Sequence, residues 1–341
     1  MLVFAGTLFA FGGRSSYISE QEGSVRLVVV TALAALLLPS AALAAGPSYV
    51  ALGGIGVLSN DGKHRFIAVP TGNETAIERV AVRGGAVSGW AALDGAYGIP
   101  QPTMRPGQLE GLSRDGKRLV VGTVGPQAPT RFAVINTRNL RVLNRFDVPG
   151  SFAYDAQSPD GKTLYLTQYV DRENASRYVV RAYDLESGRL FPGRIADKAQ
   201  KTWVMEGFAT TRTTSADGRW VYTLFMRPGG YPFVHALDTV RRAAHCIGLP
   251  WTAGDQAALM KMRMSLLDDA SKLALNWKDG KRWLVVDTGT WGITHPSSDG
   301  FPWRWVLLAA AGAMLLLAIA LVLARRRRSA HGHKEALPQP L

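Results

Sequence analysis

Short hydrophobic runs bounded by glycine, proline or aspartate follow one another along most of the chain. The run Leu164 to Thr167 is typical, because its residues favour strands and are apolar on both faces. A strand that is apolar on both faces needs cover on both sides. Helical spacing of apolar residues is scarce between the two ends of the chain. The pattern therefore predicts an all-β protein whose sheets are stacked face to face.

The same turn sequence precedes most of these runs. Ser-x-Asp-Gly, followed by a basic residue, begins at Ser59, Ser113, Ser158 and Ser215, and a degenerate fifth copy starts at Asp268. The aspartate caps backbone amides and the glycine accepts a positive φ, so these residues are predicted to shape turns. The predicted turn residues are Asp61, Gly62, Asp115, Gly116, Asp160, Gly161, Asp217, Gly218 and Asp269. In the fifth copy, Ala270 stands in the glycine position.

A second landmark recurs with a similar spacing. Strand-like runs end in Asn136, Asp184, Asp238 and Asp287, and another short strand follows each of them. One repeat thus contains four antiparallel strands in about fifty residues, which is the size of a propeller blade. We expect a β-propeller of about five four-stranded blades over residues 45–295. A sixth blade, a solenoid and a sandwich are the alternatives.

The repeats resemble the WD40-like or YVTN-type β-propeller repeats, in which S-P-D-G-K/R precedes an apolar strand. The resemblance covers roughly residues 47–295; SPDGKTLYLTQY, from Ser158, is its best match, and the first and last copies are weak. It implies blade architecture and is nearly silent on function. Lactonases and some quinone-dependent dehydrogenases carry similar repeats. The resemblance therefore implies, as an alternative function, a propeller enzyme with an axial metal or cofactor.

The N-terminal residues 1–44 are predicted to contain a secretory signal peptide. Arg26 precedes a run of about a dozen apolar residues, and Ala42 to Ala44 form a small-x-small cleavage site. The mature chain would then begin near Ala45. An uncleaved anchor is the alternative. Residues 1–24 precede a signal peptide whose own basic region already contains Arg26. Two alternatives therefore remain: translation starts near Val25, or the signal peptide has a long N-terminal region.

The C-terminal part is predicted to anchor the chain in a membrane. Residues 305–324 carry no charge and are long enough to span a bilayer core, whereas a buried core helix is the alternative. Residues 325–328 are four arginines, which favour a cytoplasmic position for the tail, residues 325–341. Residues 296–304 form a short linker. The expected localisation is therefore the cell membrane, with one span and an extracytoplasmic propeller.

The charge distribution indicates which binding partners to expect. Residues 45–303 hold 31 basic and 23 acidic residues without a basic block, so nucleic acid is not an expected partner. Mild attraction to anionic lipid headgroups or wall polymers is expected instead.

The chain has one cysteine, Cys246, so no internal disulfide can form, and its apolar strand predicts a small buried residue. Richness in alanine, glycine and arginine suggests a bacterial source.

The sequence carries no recognised catalytic signature. H-E-x-x-H, C-x-x-C and G-x-S-x-G are absent, and four histidines between the two ends are scattered: His64, His235, His245 and His295. A propeller can gather distant residues at its axis, so scattering does not exclude a metal site. We nevertheless predict no catalytic residue, no metal ligand and no cofactor, and favour a protein that is not an enzyme.

Binding is expected at the end opposite the Asp-Gly turns, where longer irregular loops lie. Arg172, Arg227, Tyr231 and Trp251 lie in or beside such segments and are predicted to contact a ligand. The sequence thus predicts a binding or scaffolding module for a protein or a cell-envelope polymer.

Overall fold

The computed structural model describes residues 50–125, 128–171, 174–199, 204–251, 256–295, 307–308 and 311–322. The strands of this part of the chain form five antiparallel sheets of four or five strands, numbered here along the chain. Sheet 1 contains β2 to β5 and sheet 2 contains β6 to β9. An earlier strand, β1, joins sheet 2. The bounds are β1 Val50–Ala51, β2 Val57–Leu58, β3 His64–Thr71, β4 Glu74–Ala81, β5 Val87–Asp94, β6 Tyr97–Pro100, β7 Arg118–Thr123, β8 Thr130–Asn136 and β9 Val142–Val148.

The other three sheets repeat the same antiparallel order. Sheet 3 contains β10 to β13, with β14 also paired to β12; sheet 4 contains β15 to β18, and sheet 5 contains β19 to β22. The bounds are β10 Phe152–Gln157, β11 Thr163–Tyr169, β12 Arg177–Asp184, β13 Arg189–Leu190, β14 Met205–Glu206, β15 Phe208–Thr214, β16 Trp220–Met226, β17 Phe233–Asp238, β18 Ala243–Gly248, β19 Arg263–Leu267, β20 Lys272–Asn276, β21 Arg282–Asp287 and β22 Ile293–Thr294. A 3₁₀ helix, Gln256–Lys261, lies between sheets 4 and 5.

Hydrophobic side chains join each sheet to the next in the chain. Leu119 and Val121 pack with sheet 1, whereas Val120, between them on β7, packs with sheet 3. Further clusters join sheet 3 to sheet 4 and sheet 4 to sheet 5. The successive side chains of a strand point to opposite faces, so one strand serves two interfaces. The prediction of sheets stacked face to face is confirmed.

The four Ser-x-Asp-Gly turns have the same hydrogen bonds. In the best copy, the Ser158 hydroxyl donates to Asp160 Oδ1 at 2.5 Å, and the amide of Lys162 donates to the same oxygen at 3.0 Å. These two bonds recur at the other three turns. The four glycines have φ between 67° and 74°, as predicted. The serine bond, first of all, lowers the pKa of each turn aspartate.

The fifth turn keeps the backbone geometry without the glycine. Asp268, Asp269 and Ala270 all have positive φ, and the value at Ala270, 69°, equals that of Gly62. The ion pair of this turn joins Asp268 to Lys272 at 2.8 Å. The degenerate copy is therefore a turn, as predicted, and three residues with side chains adopt a backbone conformation that glycine tolerates best.

Contacts between sheets that are not neighbours place the sheets around a common centre. Arg114 Nη1, from the turn of sheet 2, donates to the carbonyl of Asp217 in sheet 4 at 2.7 Å. Arg105 Nη1 donates to the carbonyl of Met262, next to sheet 5, at 3.3 Å. Single-file stacking, as in a solenoid, would not bring these pairs together. The five sheets fit a β-propeller, and the described residues hold no sixth sheet.

The stretch of chain that pairs with β7 in sheet 2 is interrupted by a loop. Tyr97 pairs with Thr123 at one end of β7, and Leu112 forms a bridge to Leu119 at the other. Residues 101–108, here called the crossing loop, leave the sheet between these points. Within it, the amide of Met104 donates to the carbonyl of Ala209 in β15 at 2.8 Å. The crossing loop thus runs from sheet 2 across the centre to sheet 4.

The predicted terminal segments fall largely outside the residues that the structure describes. The predicted signal peptide, residues 1–44, is outside the described residues. Residues 307–308 and 311–322 are helical, and the rest of the predicted span 305–324 is outside them. Among the residues that the structure describes, no helix has both the length and the apolar character needed to cross a membrane.

Candidate functional site

One position of the repeat places three charged residues at the centre. Glu110, Asp155 and Arg212 each lie three residues before the turn serine of sheets 2, 3 and 4. The pairing of β10 with β11 shifts at Asp155, which is a bulge, and the strand bends there. Asp155 and Arg212 lie on the edge strands β10 and β15, and Glu110 lies just before the Leu112–Leu119 bridge, so equivalent positions in the repeat meet near the common centre.

The three side chains form a buried ion cluster. Arg212 Nη1 donates to the backbone carbonyl of Asp155 at 2.7 Å and lies 3.4 Å from its Oδ1. Arg212 Nε lies 3.2 Å from Glu110 Oε1. The Arg212 side chain is 1% exposed, whereas that of Glu110 is 25% exposed. The cluster therefore has a buried cation and one carboxylate that reaches the surface of a cavity.

Burial and charge act against each other in this cluster. Burial by itself would lower the pKa of Arg212, but Glu110 and Asp155 outweigh it and raise the pKa. Burial raises the pKa of Glu110, and the Arg212 guanidinium opposes that change. Removing one partner of such a cluster leaves an uncompensated buried charge. Arg212 Nε and Nη2 have no hydrogen-bond partner among the described residues, so the contact with Glu110 is an ion pair without a hydrogen bond.

The crossing loop holds Arg212 by its backbone. Gln108 Nε2 donates to the carbonyl of Arg212 at 2.7 Å, and the Arg212 amide donates to Gln108 Oε1 at 3.2 Å. Thr103 Oγ1 donates to the same amide oxygen at 2.9 Å. A glutamine side chain thus supplies the donor and acceptor that a neighbouring strand would supply. The loop fixes the central edge of sheet 4 and with it the ion cluster.

A cavity of about 410 Å³ lies above the cluster, at the end of the molecule where the Asp-Gly turns meet. Residues of sheets 1 to 4 and of their turns line it. Leu58, Leu109, Leu112 and Pro159 contribute apolar surface, and Glu110 contributes the carboxylate. The Tyr154 side chain also lines it, and burial raises the pKa of that phenol. The cavity is therefore lined by polar and apolar groups in similar measure, and its one carboxylate is held in place by a buried cation.

Two of the four predicted ligand-contacting residues meet in a second pocket. Arg227 and Tyr231 line a pocket of about 340 Å³ between sheets 3 and 4, at the end opposite the Asp-Gly turns. Arg227 Nη2 lies 3.8 Å from Glu206 Oε2, and Tyr231 is among the most exposed aromatic residues. We call this the loop-end pocket. The structure thus brings this predicted pair together beside the outer strands of two sheets.

The other two predicted residues are not part of that pocket. Trp251 packs on Trp283 with ring centroids 5.4 Å apart and on Trp277 at 6.2 Å. These rings belong to the hydrophobic cluster between sheets 4 and 5. Arg172 lies outside the described residues. Trp251 therefore belongs to an aromatic cluster at the loop end of sheet 5.

Cys246 is paired with a histidine that the sequence did not single out. Cross-strand pairing places His235 opposite Cys246, with 3.6 Å between Nδ1 and Sγ. Burial lowers the pKa of His235 to about 4 and raises that of the Cys246 thiol to about 12. The thiol is half-buried and lines the loop-end pocket. A neutral thiol beside a neutral imidazole is a poor nucleophile, so the pair is structural.

The sequence did carry a signal for the ion cluster. The position three before each turn serine holds a glycine in the first repeat, and charged residues of both signs in the next three. Charged residues at equivalent positions of central strands are expected to meet at the axis.

Within the described ranges, no three His, Cys, Asp or Glu side chains are grouped so as to hold a metal ion.

No known protein family matches the chain, and no curated protein sequence matches it. Several solved structures are similar at low identity. Kuenenia stuttgartiensis hydrazine synthase is 15% identical over 72% of this chain and 66% of its own, with a TM-score of 0.44. The β-propeller domain of Myceliophteria thermophila Cps50 (Swd1) is 9% identical over 74% and 72%, with a TM-score of 0.43. TolB from Acinetobacter baumannii is 15% identical over 69% and 54%, with a TM-score of 0.37. The functional argument therefore depends on the residues of this chain.

Proposed function

We propose that this protein is a membrane-anchored, extracytoplasmic β-propeller that binds a protein or a cell-envelope polymer in its central cavity. The observation that carries the proposal is the cavity of about 410 Å³ to which four repeats contribute. Binding sites are concave and combine apolar surface with a few fixed polar groups. Glu110 is such a group, since Arg212 holds it from below. A cavity of this size accepts a side chain or terminal segment of a larger ligand.

Site-specific photocrosslinking in cells tests the binding site. A photoreactive residue replaces Leu58, which lines the cavity, Tyr231, which lines the loop-end pocket, or Leu143, an exposed residue of the outer strand β9. We expect one defined adduct from position 58 and none from position 143. An adduct from position 231 alone would move the site to the loop-end pocket. Equal yields from all three positions, or none, would contradict a specific binding module.

Membrane anchoring is tested separately. The proposal is supported by the uncharged residues 305–324 and the four arginines that follow them. We expect the full chain to remain in the membrane fraction after alkaline carbonate extraction. We also expect protease added outside the cytoplasmic membrane to digest the propeller. Release by carbonate, or a propeller protected until the membrane is opened, would contradict the proposed location.

A further inference from the structure

The loop end of sheet 5 carries three tryptophans and a cluster of cations. The rings of Trp251, Trp277 and Trp283 contact one another, and each side chain is partly exposed. The surrounding exposed cations are Lys261, Arg263, Lys278, Lys281 and Arg282. Asp279 is the one acid that the described residues of the helix and sheet place at this end, and it pairs with Lys281 at 3.4 Å. We call this the tryptophan–lysine surface.

Strand register places these cations together. Arg263 pairs with Asn276, and Asn276 pairs with Arg282, so the start of β19, the end of β20 and the start of β21 lie side by side. The residues 277–281 form the turn that joins β20 to β21, closed by a bond from the Trp277 amide to the Lys281 carbonyl at 2.8 Å. This end of sheet 5 therefore has a concentrated positive charge around an aromatic cluster.

The chain leaves the propeller toward the same end. The last strand, β22, is antiparallel to β21, with Val286 opposite Ile293 and Val285 opposite Thr294. The direction from Ile293 to Thr294 therefore leads toward Arg282 and the 277–281 turn. The uncharged segment 305–324 begins about ten residues later, a reach of roughly 30 Å when extended. If that segment spans a bilayer, the chain runs from this end of sheet 5 to the membrane, and the linker allows the tryptophan–lysine surface to reach the bilayer.

We propose that the tryptophan–lysine surface rests on the anionic lipid headgroups of the membrane that holds the C-terminal segment. Tryptophan rings favour the interface between headgroups and acyl chains, and lysine and arginine are attracted to anionic lipid. The surface offers both at the point where the chain turns to the membrane. This inference depends on the proposed anchoring. Its consequence is an orientation in which the Asp-Gly turn end, with the central cavity, points away from the bilayer.

Hydrogen–deuterium exchange of the full chain in lipid nanodiscs tests the contact. Discs of phosphatidylcholine alone are compared with discs that contain phosphatidylglycerol. Exchange at residues 276–283 is expected to be about tenfold slower in the anionic discs, and half a molar salt should abolish the difference. Equal exchange in the two kinds of disc would overturn the inference. Protection that soluble polyglutamate produces, and anionic lipid does not, would assign the surface to an acidic polymer instead.

A matched pair of variants identifies the responsible charges. Lys278→Ser, Lys281→Ser and Arg282→Ser together remove three cations of the surface, and the protection should be lost. Lys63→Ser, Lys117→Ser and Lys162→Ser together remove three exposed cations from the opposite end and should leave it unchanged. An equal loss in both triple variants would overturn the inference, because net charge alone would explain it. Unfolding temperature, followed by circular dichroism, shows that both variants are folded.

Failure of the anchoring and failure of this contact are distinguishable. A chain that resists carbonate extraction but shows no lipid-dependent protection overturns the contact and leaves the anchoring intact. If carbonate releases the chain, the anchoring fails, and co-sedimentation of the full chain with phosphatidylglycerol vesicles decides the contact alone. Binding that disappears with the Lys278, Lys281 and Arg282 triple variant would support it, and no binding would overturn it.

Discussion

Arg212 is the most buried side chain of the ion cluster, and burying a cation costs free energy unless nearby carboxylates compensate its charge. It is a cation at 1% exposure whose charge is balanced by Asp155 and Glu110. Its main chain is bonded to Gln108 of the crossing loop, so side chain and backbone are both fixed. The same residue therefore links sheets 2, 3 and 4 and supports the carboxylate that faces the cavity.

Replacing Arg212 with methionine should destabilise the protein by about 3 kcal/mol, because two carboxylates lose their buried partner. Equilibrium unfolding of the full chain in urea and mild detergent measures the change. Arg114→Met is the control, since Arg114 is exposed and its side chain makes one hydrogen bond, to the carbonyl of Asp217. A loss at Arg212 no larger than at Arg114 would mean that the ion cluster contributes little.

His235 makes stability depend on pH. Burial is the main cause that lowers its pKa to about 4, and the Arg212 cation lowers the pKa further. The nearby carboxylates of Asp155 and Asp197 favour the charged imidazole and partly offset this shift. The folded protein keeps a neutral imidazole where the unfolded chain binds a proton. Stability is therefore lost as the pH falls from about 6.5 toward 4, by on the order of 3 kcal/mol from this residue.

The His235→Gln variant should show a smaller loss of stability over that pH range than the wild-type protein. Urea unfolding at several pH values between 4 and 7 measures the difference. Carboxylates that titrate near pH 4 act in both proteins, so subtraction isolates the imidazole. His64→Gln, on the partly exposed start of β3, is the control for replacing a histidine outside the core. Parallel profiles for wild type and His235→Gln would contradict the assignment.

At the scale of elements, the turns show how the repeat tolerates variation. Four copies use glycine at the left-handed position, and the fifth uses Ala270 at a φ of 69°. A side chain in this conformation costs about 1 kcal/mol relative to glycine. The degenerate turn therefore keeps its shape because the paired strands β19 and β20 hold it.

Ala270→Gly should stabilise the protein by about 1 kcal/mol, whereas Gly62→Ala should destabilise it by a similar amount. Gly62 is a fair counterpart, because its φ is 69° and a methyl group there would meet no other atom within 4 Å. Thermal unfolding of the two variants and the wild type gives the comparison. Two variants that shift the melting temperature in the same direction would rule out backbone strain as the cause.

Repeated elements were predictable from the sequence, and their exceptions were not. The turn aspartates Asp61, Asp115, Asp160 and Asp217 could be assigned because turn chemistry is local. Arg227 and Tyr231 lie in one loop, so their meeting at the loop-end pocket was also predictable from the sequence. The crossing loop was missed, because residues 101–108 carry no periodicity and their contacts are with residues about a hundred positions away. The His235–Cys246 pair needed the register of β17 with β18, which local pattern does not specify.

At the scale of the molecule, contacts across the centre bind sheets that are distant in sequence. The crossing loop reaches sheet 4, and Arg105 reaches Met262 beside sheet 5. Hydrophobic clusters join each pair of consecutive sheets. A linear array would unfold from its ends, whereas these added links favour a single cooperative transition.

Phe66→Ala, in the core between sheets 1 and 2, should lower stability by about 3 kcal/mol and shift the unfolding of the whole molecule. Tryptophan fluorescence reports largely on sheets 4 and 5, since Trp220, Trp277, Trp283 and Trp291 pack there. Circular dichroism reports on all sheets. The two midpoints should move together in denaturant. A fluorescence transition that stays at the wild-type midpoint would show that sheet 1 unfolds independently.

The position of β1 bears on the order in which the protein is made. Val50 and Ala51 pair with Pro100 and Ile99 of sheet 2, and not with the last strand of sheet 5. In a propeller whose first strand pairs with its last strand, the first strand has no partner until the whole chain has been synthesised. Here that partner is available once the first third of the chain has emerged. We expect the early sheets to assemble well before the final repeat is synthesised.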